Sequence, residues 1–162
     1  MAAKKGPLAR PALDPETVEP RRGTVYPDAF KGIVAGREKR ALGNALGLSN
    51  FGVNLVRLAP GAASAQRHWH TRQDEFVLVL EGEAVLRTDA GDQRLGPGMA
   101  AGFPAGVEDG HHLVNESDRD VVYLEVGDRT PGDGARYPDI DLIAEPDGKG
   151  GYSFFKHDGT PY

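Results

Sequence analysis

Four of the five histidines in this 162-residue chain fall into two short clusters, and a glutamate closely follows the first cluster. His68 and His70 are two residues apart, so in a strand both imidazoles lie on one face, about 6–7 Å apart along the backbone. Imidazoles placed in this way can lean together onto one metal ion at about 2.0–2.1 Å. Glu75 follows a short stretch that can turn the chain back toward them. The spacing predicts a metal site that needs a further ligand from a distant strand.

The second cluster offers that ligand, but its two histidines are neighbours in the chain. His111 and His112 point to opposite sides of a strand, so only one of them can enter the interior. Paired histidines are also common as solvated surface residues, and the residues alone leave both interpretations open. His157 lies in a polar tail and is not predicted to be a ligand.

Composition excludes several classes of protein. The chain has no cysteine, which excludes disulfides, thiolate nucleophiles and cysteine-held metals. With 19 Lys and Arg against 24 Asp and Glu, its net charge of -5 argues against direct nucleic-acid binding. No apolar run approaches the roughly 20 residues that span a bilayer. The N-terminus has no apolar core of a secretory signal, so we expect a cytoplasmic protein without a membrane partner.

The middle of the chain has the pattern of an all-β protein. Short apolar runs are separated by turn residues, and no long helical segment lies between them. Gly82, Gly98 and Gly106 stand where hairpins need a positive φ or a close backbone approach. The predicted strands are Val53–Leu58, Glu75–Glu81, Glu83–Thr88, Gln93–Leu95, Met99–Phe103, His111–Asn115 and Val121–Val126.

The two ends of the chain are less regular. Residues 1–24 are proline-rich and predict an extended arm, and residues 25–162 predict one domain. The tail, residues 127–162, is polar, but its aromatic residues Tyr152, Phe154 and Phe155 predict that it docks on the domain. Three further elements are predicted, a strand over Phe30–Ala35, a short helix within Arg37–Leu48 and a helical turn over Ile140–Ile143.

Two of the predicted strands are apolar on both faces. A strand with one solvated face alternates apolar and polar residues, whereas Glu75–Glu81 and Val121–Val126 scarcely do. One face therefore belongs to the core, and the other needs a separate cover. The N-terminal arm or a second subunit would supply it, and we expect a homodimer.

Two motifs in the central region resemble those of the cupin superfamily. The first consists of Gly61, His68-Trp69-His70, Glu75 and Gly82, and the second of Gly98, Pro104-Ala105-Gly106, His111 and Asn115. The chain is longer than the family pattern by one residue before His68 and by two before His111. Both insertions lie in turns, where extra residues are tolerated. The resemblance covers about residues 52–126.

The resemblance implies a fold and a ligand set. The implied fold is all-β, a double-stranded β-helix or jelly-roll barrel, with irregular N- and C-terminal extensions. The implied ligands of one divalent transition metal are His68, His70, Glu75 and His111, and the family spacing to Asn115 favours His111 over His112. Three imidazoles and a carboxylate accept Fe, Mn, Zn, Ni, Co or Cu, and ligand softness does not choose among them.

The resemblance leaves two hypotheses for function. The first is a metal-dependent enzyme acting on a small oxygenated substrate, by dioxygenase- or isomerase-type chemistry. The second is a non-catalytic cupin that binds or senses a small ligand. The segments 109–113 and 137–139 are similar to stand-alone bacterial cupins, some of which are labelled sugar-phosphate isomerases by analogy.

Candidate contacts for a substrate are weaker. Gln66 shares the parity of His68, and Tyr123 lies on a late strand, so both are predicted to line the substrate site. A turn role for Gln66 and core packing for Tyr123 are the alternatives. The basic run of Arg37, Lys39 and Arg40 is interpreted as a solvated patch.

Overall fold

The computed structural model describes residues 8–162 as an antiparallel β structure in three sheets. The strands are β1 Arg21–Arg22, β2 Arg37–Ala41, β3 Phe51–Leu58, β4 Trp69–His70, β5 Glu75–Glu81, β6 Ala84–Thr88, β7 Gly91–Leu95, β8 Ala100–Phe103, β9 His112–Val114, β10 Val121–Asp128, β11 Ala135–Tyr137, β12 Leu142–Pro146 and β13 Tyr152–Phe155. One α-helix, α1, covers Leu42–Leu46, and 3-10 helices cover Pro15–Thr17, Asp28–Phe30 and Gly32–Val34. All seven strands predicted from the sequence are present, with ends shifted by two residues or fewer.

The main core lies between two of the sheets. The six-stranded sheet has the order β1-β2-β3-β10-β5-β8, and the three-stranded sheet has the order β7-β6-β9. Alternate side chains of β3, β5 and β10 point to the three-stranded sheet, as period-2 burial requires. The fully buried members include Val56, Leu58, Val79, Val121 and Tyr123. This packing fixes which side of each strand faces the interior.

A four-stranded sheet joins the tail to the first histidine pair. Its order is β13-β12-β11-β4, so the strand that carries His70 pairs with the tail strand β11. A second apolar cluster beneath it contains Tyr26, Val34, Tyr137 and Leu142, and Phe154 packs against this cluster. The tail is therefore part of the folded structure, as its aromatic residues predicted.

The short helix predicted within Arg37–Leu48 is present as Leu42–Leu46, directly after β2. Two other local predictions were wrong. Phe30–Ala35 is not a strand, because it belongs largely to two 3-10 helices. Ile140–Ile143 is a turn that leads into β12 rather than a helical turn. In both cases a neighbouring strand or apolar cluster overrides a weak local preference.

Gly82 confirms the predicted need for glycine at a hairpin. Its φ is 76°, and a Cβ at this position would lie 2.6 Å from the carbonyl oxygen of Asp120. Gly98 and Gly106 also have positive φ. A larger residue at 82 would therefore clash with the chain that leads into β10.

The outer face of the six-stranded sheet remains apolar. On β5, Phe76 and Leu80 are 43% and 40% exposed, and their neighbours on β10 are only partly covered. The arm adds a short edge strand, β1, beside β2, and the predicted boundary at residue 24 stays a prediction. Within residues 8–162, no helix is long and apolar enough to cross a membrane.

Candidate metal centre

A pair of backbone hydrogen bonds brings the two histidine clusters together. The amide of His68 donates to the carbonyl oxygen of His111 at 3.2 Å, and the amide of His111 donates to that of His68 at 2.9 Å. Glu75 is the first residue of β5 and faces the same place. Residues far apart in the sequence therefore meet at one point.

Four side chains converge there. Oε2 of Glu75 lies 2.9 Å from Nε2 of His111, 3.6 Å from that of His70 and 3.8 Å from that of His68. The Nε2 atoms of His68 and His70 are 3.1 Å apart. Ligands held at about 2.1 Å from one ion stand roughly 3.0–3.4 Å from each other. The ligand atoms of His68, His70 and Glu75 all lie within 4.8 Å of one another, near the spacing that one ion requires, and His111 joins this group through its contact with Glu75.

The orientation of two rings favours a cation between them. Nδ1 of His68 donates to the carbonyl oxygen of Gln66 at 2.8 Å, and Nδ1 of His70 donates to Asp133 at 2.6 Å. In the neutral rings, both Nε2 atoms then carry lone pairs and face each other. Two acceptors 3.1 Å apart repel unless a proton or a metal ion lies between them. The donor set of nitrogen and oxygen fits a borderline divalent metal.

Burial prepares these groups as ligands. Burial lowers the pKa of His68 to about 4, so this imidazole is neutral at pH 7. Burial alone would raise the pKa of Glu75, but the hydrogen bond from His111 and the adjacent imidazoles hold it well below its usual range. A neutral imidazole and an ionised carboxylate are the forms that bind metal.

Asp133 is a candidate supporting residue of the site that the sequence interpretation missed. This buried carboxylate accepts a hydrogen bond from His70 and others from the Tyr152 hydroxyl and the Arg72 amide. Such a partner fixes the orientation of a ligand ring. A lone Asp between two glycines of a polar tail carries no recognisable signal, so only the fold could reveal it.

Aromatic rings pack against the imidazoles of His68 and His111. The ring of Phe103 is parallel to that of His111, with centroids 3.5 Å apart, and Tyr137 stacks on His68 with centroids 5.5 Å apart. The tilt between the Tyr137 and His68 rings is 25°. These contacts limit rotation of the ligands and keep water from one side of each ring.

The two remaining histidines lie outside the cluster, although His112 lines the cavity next to it. His112 is buried, and its Nδ1 donates to the carbonyl oxygen of Ala65 rather than facing Glu75. His157 is exposed, and its Nδ1 lies 3.6 Å from Asp141. Of the two adjacent histidines, His111 is therefore the one that contacts Glu75, and its role as fourth ligand stays a prediction.

The two predicted substrate contacts have different positions. The amide of Gln66 donates to the carbonyl oxygen of Phe30 at 3.0 Å, and only the backbone of Gln66 touches a ligand, His68. Tyr123 is fully buried and lines the cavity next to the ligands. Its hydroxyl has no hydrogen-bond partner within residues 8–162.

That cavity has a volume of about 180 Å³ and contains more than the ligand atoms. The interpretation of the basic run as a solvated patch was wrong for Arg37 and Lys39, which point inward from β2 and line the cavity. Arg40 points outward and pairs with Glu16 at 2.9 Å. Besides the ligands, the wall includes Tyr26, Arg37, Lys39, Ser64, Tyr123 and Glu125.

Glu125 is a second acidic group on this wall. The Nζ of Lys39 and the amide of Asn54 donate to its Oε1 at 2.7 and 3.1 Å. Within the described part of the chain, its Oε2 has no hydrogen-bond donor. The cavity thus combines the cluster of candidate metal ligands with a carboxylate, a phenol and a guanidinium.

Known proteins share this fold and part of its sequence. Residues 54–127 match the family model of the cupin domain. A sugar phosphate isomerase of the cupin superfamily from Silicibacter pomeroyi is 47% identical, with 94% of this chain and 96% of that chain covered and a TM-score of 0.90. The polyketide cyclase RemF from Streptomyces resistomycificus is 22% identical over 80% of this chain and 85% of its own, with a TM-score of 0.64, which shows the fold alone.

A search of curated protein sequences found no significant match. The family model nevertheless covers the segment that contains His68, His70, Glu75 and His111, and the Silicibacter relative matches almost the whole chain. Together with the all-β architecture described above, these matches show that the chain belongs to the cupin superfamily.

Proposed function

We propose that this cupin is a metal-dependent enzyme of the isomerase type, acting on a small hydroxy-carbonyl compound. The observation that carries the proposal is the convergence of His68, His70, Glu75 and His111 on a cavity whose wall also holds Glu125. The relative that is 47% identical over nearly its whole length is named a sugar phosphate isomerase, which favours isomerase over dioxygenase chemistry.

The four ligands would hold one divalent ion and leave coordination positions open toward the cavity. A bound ion would act there as a Lewis acid that stabilises negative charge on a substrate oxygen. Asp133 and the ring of Phe103 keep the imidazoles in place, so the site needs little rearrangement when a ligand arrives.

Isomerisation of a hydroxy-carbonyl compound also needs a proton carrier. A base removes the proton from the hydroxyl-bearing carbon beside the carbonyl and returns it to the former carbonyl carbon, while the hydroxyl proton passes to the former carbonyl oxygen. Glu125 is the carboxylate on the wall outside the ligand set, and Lys39 and Asn54 engage only its Oε1. In this proposal its Oε2 carries the proton.

The test begins with the metal content of protein purified without added metal. His68→Ala should lose the ion, whereas His157→Ala, at an exposed position, should retain it. Less than about a tenth of an equivalent in the unaltered protein, purified without chelators, would count against the site. The metal-loaded protein is then incubated in D₂O with aldose and ketose phosphates and with the free sugars.

Proton NMR follows both the interconversion and the exchange of hydrogen at the carbon beside the carbonyl. Glu125→Gln should keep its metal and lose roughly 10²–10⁴-fold in kcat. The matched control is Glu83→Gln, because Glu83 is a glutamate paired with Arg94 on the surface. Oxygen uptake without isomerisation would favour a dioxygenase, and ligand binding without turnover would favour a binding module.

A further inference from the structure

Arg37 carries a positive charge into the cavity without an acidic partner. Its Nη1 donates to the carbonyl oxygen of Ser64, and its Nη2 donates to that of Gly23 at 3.2 Å. Within residues 8–162 no carboxylate lies within ion-pair distance of this guanidinium. Its neighbours on β2 differ, because Lys39 pairs with Glu125 and Arg40 pairs with Glu16. Buried or half-buried charges are normally paired with an opposite charge. The guanidinium of Arg37 therefore lacks the counter-ion that such a position usually has.

Tyr123 provides a second and independent observation on the same wall. Its side chain is fully buried, yet its hydroxyl has no hydrogen-bond partner among the described residues. Buried polar groups nearly always have a hydrogen-bond partner, and an exception points to a bound ligand or to a functional role. Burial raises the pKa of Tyr123 well above its usual value, an effect that the nearby Ser64 side chain offsets only in part, so the hydroxyl keeps its proton and can donate.

The strand register places these two groups on one face of the sheet. Tyr123 on β10 is opposite Val56 on β3, and Val56 is opposite Lys39 on β2. Arg37 lies two residues before Lys39 and has the same parity, so it faces the same interior. A guanidinium with spare N–H groups and a phenol that needs an acceptor thus share one cavity with the metal ligands.

We infer that Arg37 and Tyr123 form an anion subsite that binds the negatively charged group of the substrate, a carboxylate or a phosphate. Guanidinium groups bind both anions through paired N–H donors. The inference rests on the proposed function in one respect, because the other end of the same molecule would reach the metal. The cavity, at about 180 Å³, is below the roughly 300–1,000 Å³ usual for drug-sized ligands. The substrate class is therefore a short polyol or hydroxy-carbonyl compound with one anionic end.

Binding to metal-free protein tests the subsite separately from the enzyme. Chelator-treated protein is titrated with glycerol, glycerate and glycerol 3-phosphate, and affinities are measured by calorimetry or by NMR of the Arg37 Nε–H signal. We expect at least one anion to bind and uncharged glycerol to bind at least about tenfold more weakly. The tighter anion identifies the charged group. If neither anion binds, or if glycerol binds equally well, the inference fails.

Variants on one strand supply the matched comparison. Arg37→Gln should weaken anion binding roughly 10–100-fold, because a hydrogen-bonded charge is lost. Arg40→Gln removes the same charge from the outward side of β2 and should bind the anion as the unaltered protein does. If the Arg37 and Arg40 variants bind the anion equally well, Arg37 serves only to hydrogen-bond the backbone of Ser64 and Gly23, and the inference fails.

If Arg37→Gln does not fold, Tyr123→Phe tests the same inference. This change breaks no hydrogen bond, so the melting temperature should stay the same or rise, while anion affinity falls several-fold. A lower melting temperature with unchanged anion affinity would contradict the inference. If the anions bind in an Arg37-dependent way but no sugar is isomerised, the subsite stands and the proposed enzyme activity fails.

Discussion

Nδ1 of His70 lies 2.6 Å from Oδ2 of Asp133, although the two residues are far apart in the sequence. The same carboxylate accepts hydrogen bonds from the amides of Arg72 and Gln73 at 2.8 and 3.2 Å and from the hydroxyl of Tyr152. The tail thus holds a metal-ligand candidate in one orientation, and the turn after His70 is tied to the same group.

Asp133→Asn should weaken metal binding about 10–100-fold, because it removes the negative charge and turns one of the two accepting oxygens into an NH2 donor. Competition with a chromophoric chelator measures the affinity. Asp147→Asn is the control, since Asp147 lies in the same tail and binds only nearby backbone amides. Equal affinities in the two variants would show that Asp133 does not support the site.

Alanine substitutions at 111 and 112 should separate the two adjacent histidines. His111→Ala removes the imidazole 2.9 Å from Glu75 and should leave protein that retains little metal after gel filtration. His112→Ala should retain the ion, because His112 donates to Ala65 instead. Elemental analysis gives the number of metal equivalents, and the opposite result would exchange the two roles.

Removal of the metal should lower the thermal stability. An ion that binds only the folded state at 100 times its Kd adds about 2.7 kcal/mol to the free energy of unfolding. For a chain of this size the melting temperature should then fall by roughly 5–10 °C with chelator. Calorimetry measures the shift, which His68→Ala should abolish. A similar chelator effect on that variant would place the stabilising ion elsewhere.

The ion pair between Arg67 and Asp139 should make stability depend on pH in acid. Arg67 donates twice to Asp139 at 2.7 Å, and this hydrogen bonding lowers the pKa of Asp139 below its ordinary value of 3.8. A lowered folded-state pKa contributes stability above 3.8 that is lost as the pH falls through the folded-state value. Because Asp139 is 55% exposed, solvent limits the contribution to about 1 kcal/mol or less.

Asp139→Asn should therefore be less stable than the unaltered protein at pH 7, and the difference should shrink near pH 3. Urea unfolding at both values measures it. Asp118→Asn is the control, because Asp118 is 91% exposed and has only a long contact with Arg119. A difference that is the same at both pH values would rule out ionisation of Asp139 as its cause.

The apolar outer face of the six-stranded sheet should mediate the expected homodimer. Phe76→Lys places a charge on that face and should shift the protein toward a monomer in light scattering. Val107→Lys is the control, since Val107 is 51% exposed in a turn away from this face. A monomeric unaltered protein would contradict the prediction, and so would a dimer that Phe76→Lys leaves intact.

Much of the fold was readable because strand patterns are local. The apolar run Val121–Val126 and the turn at Gly82 depend on residues a few positions apart, and both predictions were confirmed. The prediction for Phe30–Ala35 was wrong because its apolar residues, Phe30, Ile33 and Val34, pack into the second cluster from 3-10 helices. Apolar content alone does not distinguish burial in a strand from burial in a 3-10 helix.

The sequence by itself determined the ligand types and the superfamily resemblance, because His68, His70 and Glu75 stand at a spacing that one strand and one turn can bring together. Only the tertiary structure decided which groups surround them. Asp133 and Arg37 reach the site from the tail and from β2, and their roles depend on strand pairing across long distances in the chain. No local sequence pattern predicts these long-range contacts, because the register of distant strands is set by the burial of whole sheet faces.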